Sequence, residues 1–208
     1  MTTPTRKTRL GILGSGNGSN MDAIAAACDL PDSPMEIALV VSDVAGAGIL
    51  EKAARRGIPA NHIPPGKYRT KLDEEAEQAY ITAMRHARVD WIVLAGFMRI
   101  LKGDFLRAFT QRVVNIHPSL LPAFPGLEAW RQAVDYGVKV AGCTVHFVDQ
   151  GIDTGAVVAQ KTVPVLDGDT AETLHARIQT AERELFPEAI KQLALGKYRV
   201  EGRRCSAA

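Results

Sequence analysis

Short apolar runs alternate with helix-period segments through the first half of this chain. Residues 9–13 read as a strand, followed by a glycine-rich turn and an alanine-rich helix over about 20–28. A second apolar run over 36–41 predicts a strand, and 47–56 predicts a helix stopped by Gly57. Pro64-Pro65-Gly66 marks a loop; the charged, periodic stretch 69–88 predicts a long amphipathic helix that feeds the apolar strand 91–95. A short helix near 104–109 leads to a strand ending at Asn115. Strands alternating with helices in this way predict an α/β fold, with a doubly wound, mainly parallel sheet and right-handed crossovers.

Beyond Pro125 the pattern changes. Residues 143–148 and 156–165 read as two strands around a polar loop, which predicts an antiparallel, hairpin-like extension. Asp169 or Thr170 is placed to cap a long final helix over about 171–195, which Pro187 is expected to kink or divide. The tail after Gly196 is basic and rich in small residues, so residues 197–208 are expected to be loose, as are residues 1–8. No internal repeat or low-complexity tract interrupts the chain, and a single domain over 1–208 is the simplest organisation.

Composition narrows the partner more than the fold. With 208 residues and 46% hydrophobic content, the chain has enough apolar mass for a proper core. Twenty-five basic against 23 acidic residues leave a net charge of +2, too little for a general attraction to nucleic acid or to a membrane surface. A small-molecule partner held by local chemistry is expected instead. Cys28, Cys143 and Cys205 are widely spaced, which argues against a disulfide framework and a zinc cage and favours a reducing, cytoplasmic setting. No secretory signal pattern and no membrane-length apolar run is present in the sequence.

Four short segments carry candidate chemistry. In Asn115-Ile116-His117-Pro118, an amide and an imidazole stand two residues apart at a strand's carboxyl end, where strand periodicity aims them to one side and α/β sheets bind ligands. Taken alone, such a histidine serves a structural hydrogen bond as readily as a reaction. Gly14-Ser15-Gly16-Asn17-Gly18-Ser19-Asn20 follows the first strand and opens a helix, the form of a phosphate cradle. It lacks the Gly-Lys-Ser/Thr of a Walker loop, and Ser19 replaces the last glycine of a dinucleotide fingerprint, leaving a tight structural turn as the plain alternative. Asp43, near the end of the second strand, stands where a dinucleotide ribose acceptor would be.

The third segment, Ala95-Gly96-Phe97-Met98-Arg99-Ile100-Leu101, can form either ordinary core or an apolar slot for a flat heteroaromatic ring whose edge pairs with main-chain groups. In the fourth, Asp149-Gln150-Gly151-Ile152-Asp153-Thr154-Gly155, the acids are either solvated or turned inward. Asp153 is the candidate to pair with His117 and favour its charged form. Metal binding by His117, His146 and Asp153 has no zinc-ligand spacing behind it, so no metal is expected.

Taken together and in order, these four segments closely resemble the phosphoribosylglycinamide formyltransferase family, over about residues 10–187. The resemblance implies a Rossmann-like formyltransferase fold, with a nucleotide-binding βαβ part over 9–115 and a folate-site and closing part over 116–195. It implies formyl transfer from 10-formyltetrahydrofolate, as cosubstrate, to the amino group of glycinamide ribonucleotide in purine synthesis, by a monomer or homodimer. Carried over by position, Asn115, His117 and Asp153 are the catalytic residues, and Gly18, Ser19, Asn20, Gln179 and Glu182 contact the nucleotide. Arg69, Met98, Arg99, Ile100, Leu101, Asn115, Asp149, Gln150, Gly151, Ile152 and Asp153 meet the folate, and His146 has a supporting role.

The chemistry of the resemblance is direct transfer: Asn115 and a protonated His117 donate to the developing oxyanion while Asp153 orients the imidazole. Two related readings compete. A formyltetrahydrofolate hydrolase directs water at the same carbon, but that family carries an additional N-terminal domain and a different first loop. An inactive homologue binds nucleotide or folate without turnover, against which stand the intact Asn115, His117 and Asp153.

Overall fold

The computed structural model describes residues 6–208. The chain divides into two compact units, residues 1–113 and 114–208. Expected looseness at residues 1–8 falls mostly on residues 1–5, which lie outside the described residues.

The first unit contains β1 (Thr8–Leu13), α1 (Ser19–Cys28), β2 (Met35–Ser42), α2 (Gly48–Arg55), β3 (Ala60–His62), α3 (Glu74–His86), β4 (Trp91–Leu94) and α4 (Gly103–Ala108). Its strands lie in the order β3-β2-β1-β4, and each pairing is parallel. Leu10, Ile12, Leu13, Val40, Val41, Ile92 and Val93 are fully buried, which is why these strands read as continuous apolar runs rather than alternating ones. Crossovers from β1 to β3 proceed one way along the sheet, whereas the chain then returns to place β4 on the other side of β1. Right-handed crossovers in opposite directions put helices on opposite faces, so the strand order makes this a doubly wound sheet. The reversal falls between β1 and β4. It makes the carboxyl ends of these two strands the natural ligand crevice of the unit.

Two details differ from the sequence reading. The three-residue edge strand β3 carries too little apolar pattern to be seen. Helix α3 begins at Glu74 rather than near Arg69, because the Asp73 carboxylate accepts the backbone N–H of Ala76 at 3.0 Å and that of Lys67 at 2.9 Å. This capping bond satisfies an otherwise orphaned helix donor and fixes the preceding residues as a loop.

The second unit contains β5 (Val113–His117, beginning at the boundary), α5 (Ala129–Tyr136), β6 (Val140–Phe147), β7 (Val157–Pro164), α6 (Ala171–Ala194), β8 (Tyr198–Glu201) and β9 (Arg204–Ala207). Strands β5, β6 and β7 pair antiparallel in that order. The expected α/β fold, mainly parallel with an antiparallel C-terminal extension and a long last helix, is the one the chain adopts. Helix α6 packs on β6 and β7, and α5 packs on α6. Thr170 caps α6, with reciprocal bonds between Thr170 and Thr173.

Pro187 lies inside α6 without dividing it. A proline removes one helical hydrogen bond, and here the residue sits in a buried stretch with Phe186, Ala189 and Ile190, whose burial offsets that loss. Residues 198–207, expected to be a loose tail, form the β8–β9 hairpin around Gly202, and β9 packs beside β7. Gly202 takes the positive φ of 59° that the reversal requires. Helix α5, which the sequence reading omitted, runs through Trp130 and Ala133 between Glu128 and Gly137, both left-handed.

Candidate active site

In the first unit, the turn after β1 and the segment after β4 are tied together at the strand ends. Gly18 caps α1 with φ at 79°, and no side chain occupies the cap. A Cβ at Gly18 would lie 2.8 Å from the Ile49 Cα, so both backbone conformation and space demand glycine. The helix therefore opens on main-chain N–H groups with its positive dipole end presented by Ser19 and Asn20, the geometry that favours an anion. Ser15 connects this turn to the other one. Its backbone N–H donates to Gly96 O at 3.0 Å, while its hydroxyl oxygen accepts the Met98 N–H at 2.9 Å.

Along the Met98 to Leu101 segment, exposure alternates as in a strand. Met98 (60%) and Ile100 (36%) offer apolar surface, whereas Leu101 (4%) is core. The apolar side-chain surface that this segment presents is therefore that of Met98 and Ile100, with Leu101 turned into the core. The Arg69 loop lies against this segment: Ile100 N–H donates to Thr70 O at 2.9 Å, Lys71 and Ile100 form a parallel bridge, and the Arg99 guanidinium donates to Arg69 O. Asp43 is not a ribose acceptor. Its carboxylate accepts from Ser15 Oγ at 2.5 Å and from Arg99 Nε at 2.7 Å, with only 1% of its side chain exposed.

In the second unit, strand β5 continues past Asn115 to His117, so both polar residues lie on one face of a real strand. Antiparallel register sets His146 opposite Asn115 and Thr144 opposite His117. His146 is buried and donates from Nδ1 to Phe147 O at 2.8 Å, leaving Nε2 as the acceptor of Asn115 Nδ2 at 3.2 Å. Burial holds the His146 pKa below its ordinary value, against the opposing effects of its bond to Phe147 O and of the negative charge of Asp153. A neutral His146 thus fixes the orientation of the Asn115 amide, whose nitrogen carries a second N–H.

His117 is equally enclosed. Its Nε2 lies 2.9 Å from Phe124 O and its Nδ1 lies 3.4 Å from Asp153 Oδ2, so both ring nitrogens face acceptors. Only a doubly protonated ring can donate to both. Asp153, at a positive φ of 54°, also accepts the Gly126 N–H at 2.8 Å and stands 3.6 Å from His146 Nε2. Gly155 lets its loop close on β6, since a Cβ there would fall 1.8 Å from Phe147 O. Thr144 and Gln160 hold the chain after His117: Thr144 Oγ1 donates to Ser119 O at 2.6 Å, and Gln160 Nε2 donates to Leu121 O at 2.9 Å.

A formyl transferase family model matches residues 8–190. A phosphoribosylglycinamide formyltransferase of Bacillus subtilis is 43% identical over 185 residues, 89% of this chain and 94% of that protein. The chain belongs to the phosphoribosylglycinamide formyltransferase family. A crystal structure of glycinamide ribonucleotide transformylase 1 from Symbiobacterium toebii superposes with a TM-score of 0.92 at 48% identity, covering 97% of this chain and 94% of that one. The trifunctional purine biosynthetic protein adenosine-3 of Gallus gallus is 43% identical over 198 residues; the chain spans 19% of its length.

Within this family frame, the residues expected from sequence fall into separate groups. Asn115, His117, Asp153 and the supporting His146 meet in one cluster. Gly18, Ser19 and Asn20 form the helix start, and Arg69 lies on the loop bonded to Arg99 and Ile100. Asp149 holds its own loop, accepting from Gly151 N at 3.0 Å and Thr154 Oγ1 at 2.6 Å, while Gln150, Gly151 and Ile152 are exposed. Gln179 and Glu182 share one face of α6, three residues apart. Gln179 bonds to His175, whose ring stacks on Trp130 at 3.7 Å between centroids, and Glu182 is buried.

The sequence reading missed Ser15, Thr144, Gln160, the Trp130–His175 stack and the pairing of Asp43 with Ser15 and Arg99. Alternation along the apolar strand Val140–Phe147 was the available signal for Thr144; nothing local marks the others. Among the described residues, no group of three His, Cys, Asp or Glu is arranged to hold a metal ion, and no helix is long and apolar enough to cross a membrane.

Proposed function

We propose that this chain, acting as one formyltransferase domain, transfers the formyl group of 10-formyltetrahydrofolate to the amino group of glycinamide ribonucleotide, a step of purine synthesis in the cytoplasm. The arrangement of Asn115, His117, His146 and Asp153 carries this reading, because it provides oriented N–H donors in a buried setting beside a carboxylate. The neutral amine attacks the formyl carbon, and the carbonyl electron pair moves to oxygen. The carbon–nitrogen bond to the folate then breaks as one proton passes from the attacking nitrogen to the leaving one. No enzyme nucleophile is needed. Cys143, the cysteine on β6, is unsuited to that role, because burial, helped by the Glu182 charge, pushes its thiol up to about 12.

Asn115 donates its second N–H to the developing oxyanion. His117 has both nitrogens engaged, so its Nε2–H reaches the same oxygen by exchanging Phe124 O for it, while Asp153 retains the other nitrogen. Gly18, Ser19 and Asn20 receive the substrate phosphate, with Gln179 and Glu182 on its ribose and amine hydrogens. Met98 and Ile100 flank the pterin, and main-chain groups of Arg99 and Leu101 meet its edge, since the N–H groups of Met98 and Ile100 are spent on Ser15 and Thr70. Arg69 pairs with a folate carboxylate; Asp149, Gln150, Gly151, Ile152 and Asp153 line the folate pocket.

The test is tetrahydrofolate release by the purified chain. Release that requires glycinamide ribonucleotide and yields the formylated amine supports transfer. Release at the same rate without the amine identifies a hydrolase, and binding of either substrate without release identifies an inactive homologue.

A further inference from the structure

Three adjacent parallel strands, β2, β1 and β4, end beside one another, and a single buried carboxylate spans all three ends. Asp43 follows β2 directly. One of its oxygens takes the Ser15 hydroxyl from the turn after β1, and the other takes Arg99 Nε from the segment after β4. Ser15 passes the constraint on, because the hydroxyl that donates to Asp43 accepts the Met98 N–H. Arg99 passes it on in another direction, donating its second arm to Arg69 O. An ion pair in which the Asp43 side chain is 1% exposed and the Arg99 side chain 19% gains little net stability, because desolvation opposes the attraction. What it supplies is geometry: a planar guanidinium with one edge on a fixed carboxylate has little freedom left to choose where its main chain lies.

We infer that Asp43 is a positioning residue for folate binding, acting through Arg99 and Ser15 to set both the Met98 to Leu101 segment and the Arg69 loop. The inference rests on the folate reading of those two segments. Asp43 itself touches no substrate: both its oxygens are taken and its side chain is enclosed. Its removal therefore alters recognition of the formyl donor rather than the transfer chemistry.

Asp43→Asn in the full chain tests this. The amide oxygen can still accept from Ser15, but its N–H₂ meets Arg99 Nε–H, donor against donor. Steady-state kinetics are expected to show KM for 10-formyltetrahydrofolate raised about tenfold, with kcat at saturation and KM for glycinamide ribonucleotide each within about threefold of the parent chain. If Asp43 acts through Arg99, the double variant Asp43→Asn/Arg99→Gln has the folate KM of the worse single variant, not the product of both effects. An unchanged folate KM in folded Asp43→Asn overturns the inference, and so does a loss shared equally by all constants. Should Asp43→Asn fail to fold, Ser15→Ala removes the hydroxyl that links Asp43 to the Met98 N–H and is expected to give the same selective rise in folate KM; normal folate KM there overturns the inference too. The parent chain separates the two levels. Amine-dependent turnover in it with an unmoved folate KM in the variants defeats this inference alone, whereas no turnover in the parent defeats it together with the function.

Discussion

Replacing His117 by alanine sets the oxyanion role proposed for it against its structural one, because the two carry different costs. In the folded protein the ring donates to Phe124 O at 2.9 Å and faces Asp153 at 3.4 Å, while only 4% of the residue is exposed. Its loss leaves a buried carbonyl without that donor, a penalty of about 1–3 kcal/mol. Asp153 keeps the Gly126 N–H, which limits the damage at the carboxylate. A domain of ordinary stability, about 5–15 kcal/mol, survives this and remains folded at room temperature.

Turnover responds on another scale. Removing one preorganised oxyanion donor costs about 3 kcal/mol, or about 150-fold in kcat. The assay is kcat at saturating amine and formyl donor, alongside a thermal melt and the Kd for the nucleotide. The expected pattern is a folded variant with a somewhat lower Tm, kcat reduced by about two orders of magnitude, and nucleotide Kd within about threefold. A folded variant with kcat within about threefold of the parent would refute the assignment, and so would a kcat loss fully explained by the unfolded fraction.

Two further outcomes follow from the same geometry. His146 is held neutral chiefly by burial, so the unfolded chain binds a proton that the folded chain refuses once the pH falls below the ordinary value of 6.5. Stability is therefore full above that value and falls as the pH drops towards the lower folded pKa, with a contribution from this group of at most about 1.4 kcal/mol per pH unit. Denaturant unfolding of His146→Gln across this range should show a shallower decline; an unchanged slope would contradict a buried neutral imidazole. Gly18→Ala places a side chain in left-handed backbone and against Ile49 Cα, so we expect at least about 1–2 kcal/mol of lost stability in denaturant melts. Its KM for the nucleotide should also rise, and a variant with parent-like stability and KM would show that the turn does not need its conformation.

Much of this molecule is legible in the order of its residues because local physics decides those parts. Buried strands such as Ile92 to Leu94 need unbroken apolar runs, and Gly18 and Gly57 mark helix boundaries through backbone conformations that other residues resist. Asn115 and His117 share a face because strand side chains alternate, whatever else the chain does. The cap at Asp73 was equally local, but an amphipathic period continuing upstream to Arg69 masked it, and helix α3 starts later than the period suggests. At the C-terminus, polar and small residues read as a loose tail, yet pairing of Val200 with Cys205 and packing beside β7 make a hairpin of it.

The site's partnerships were decided only by tertiary structure. Asp43 and Arg99 are far apart in the chain, and which donor a buried carboxylate finds depends on the strand order β2-β1-β4, not on its neighbours in sequence. His146 acquires its neutral state and its hold on Asn115 from antiparallel register and burial, neither of which is written at position 146 itself. The sequence by itself determined the buried strands and the helices that follow them, the glycine turn, and the amide and imidazole on one strand face, since each follows from backbone sterics and short-range periodicity. Tertiary structure alone decided which nitrogen of each histidine faces which acceptor, because long-range pairing and exclusion of water fix hydrogen-bond partners that no local pattern can specify.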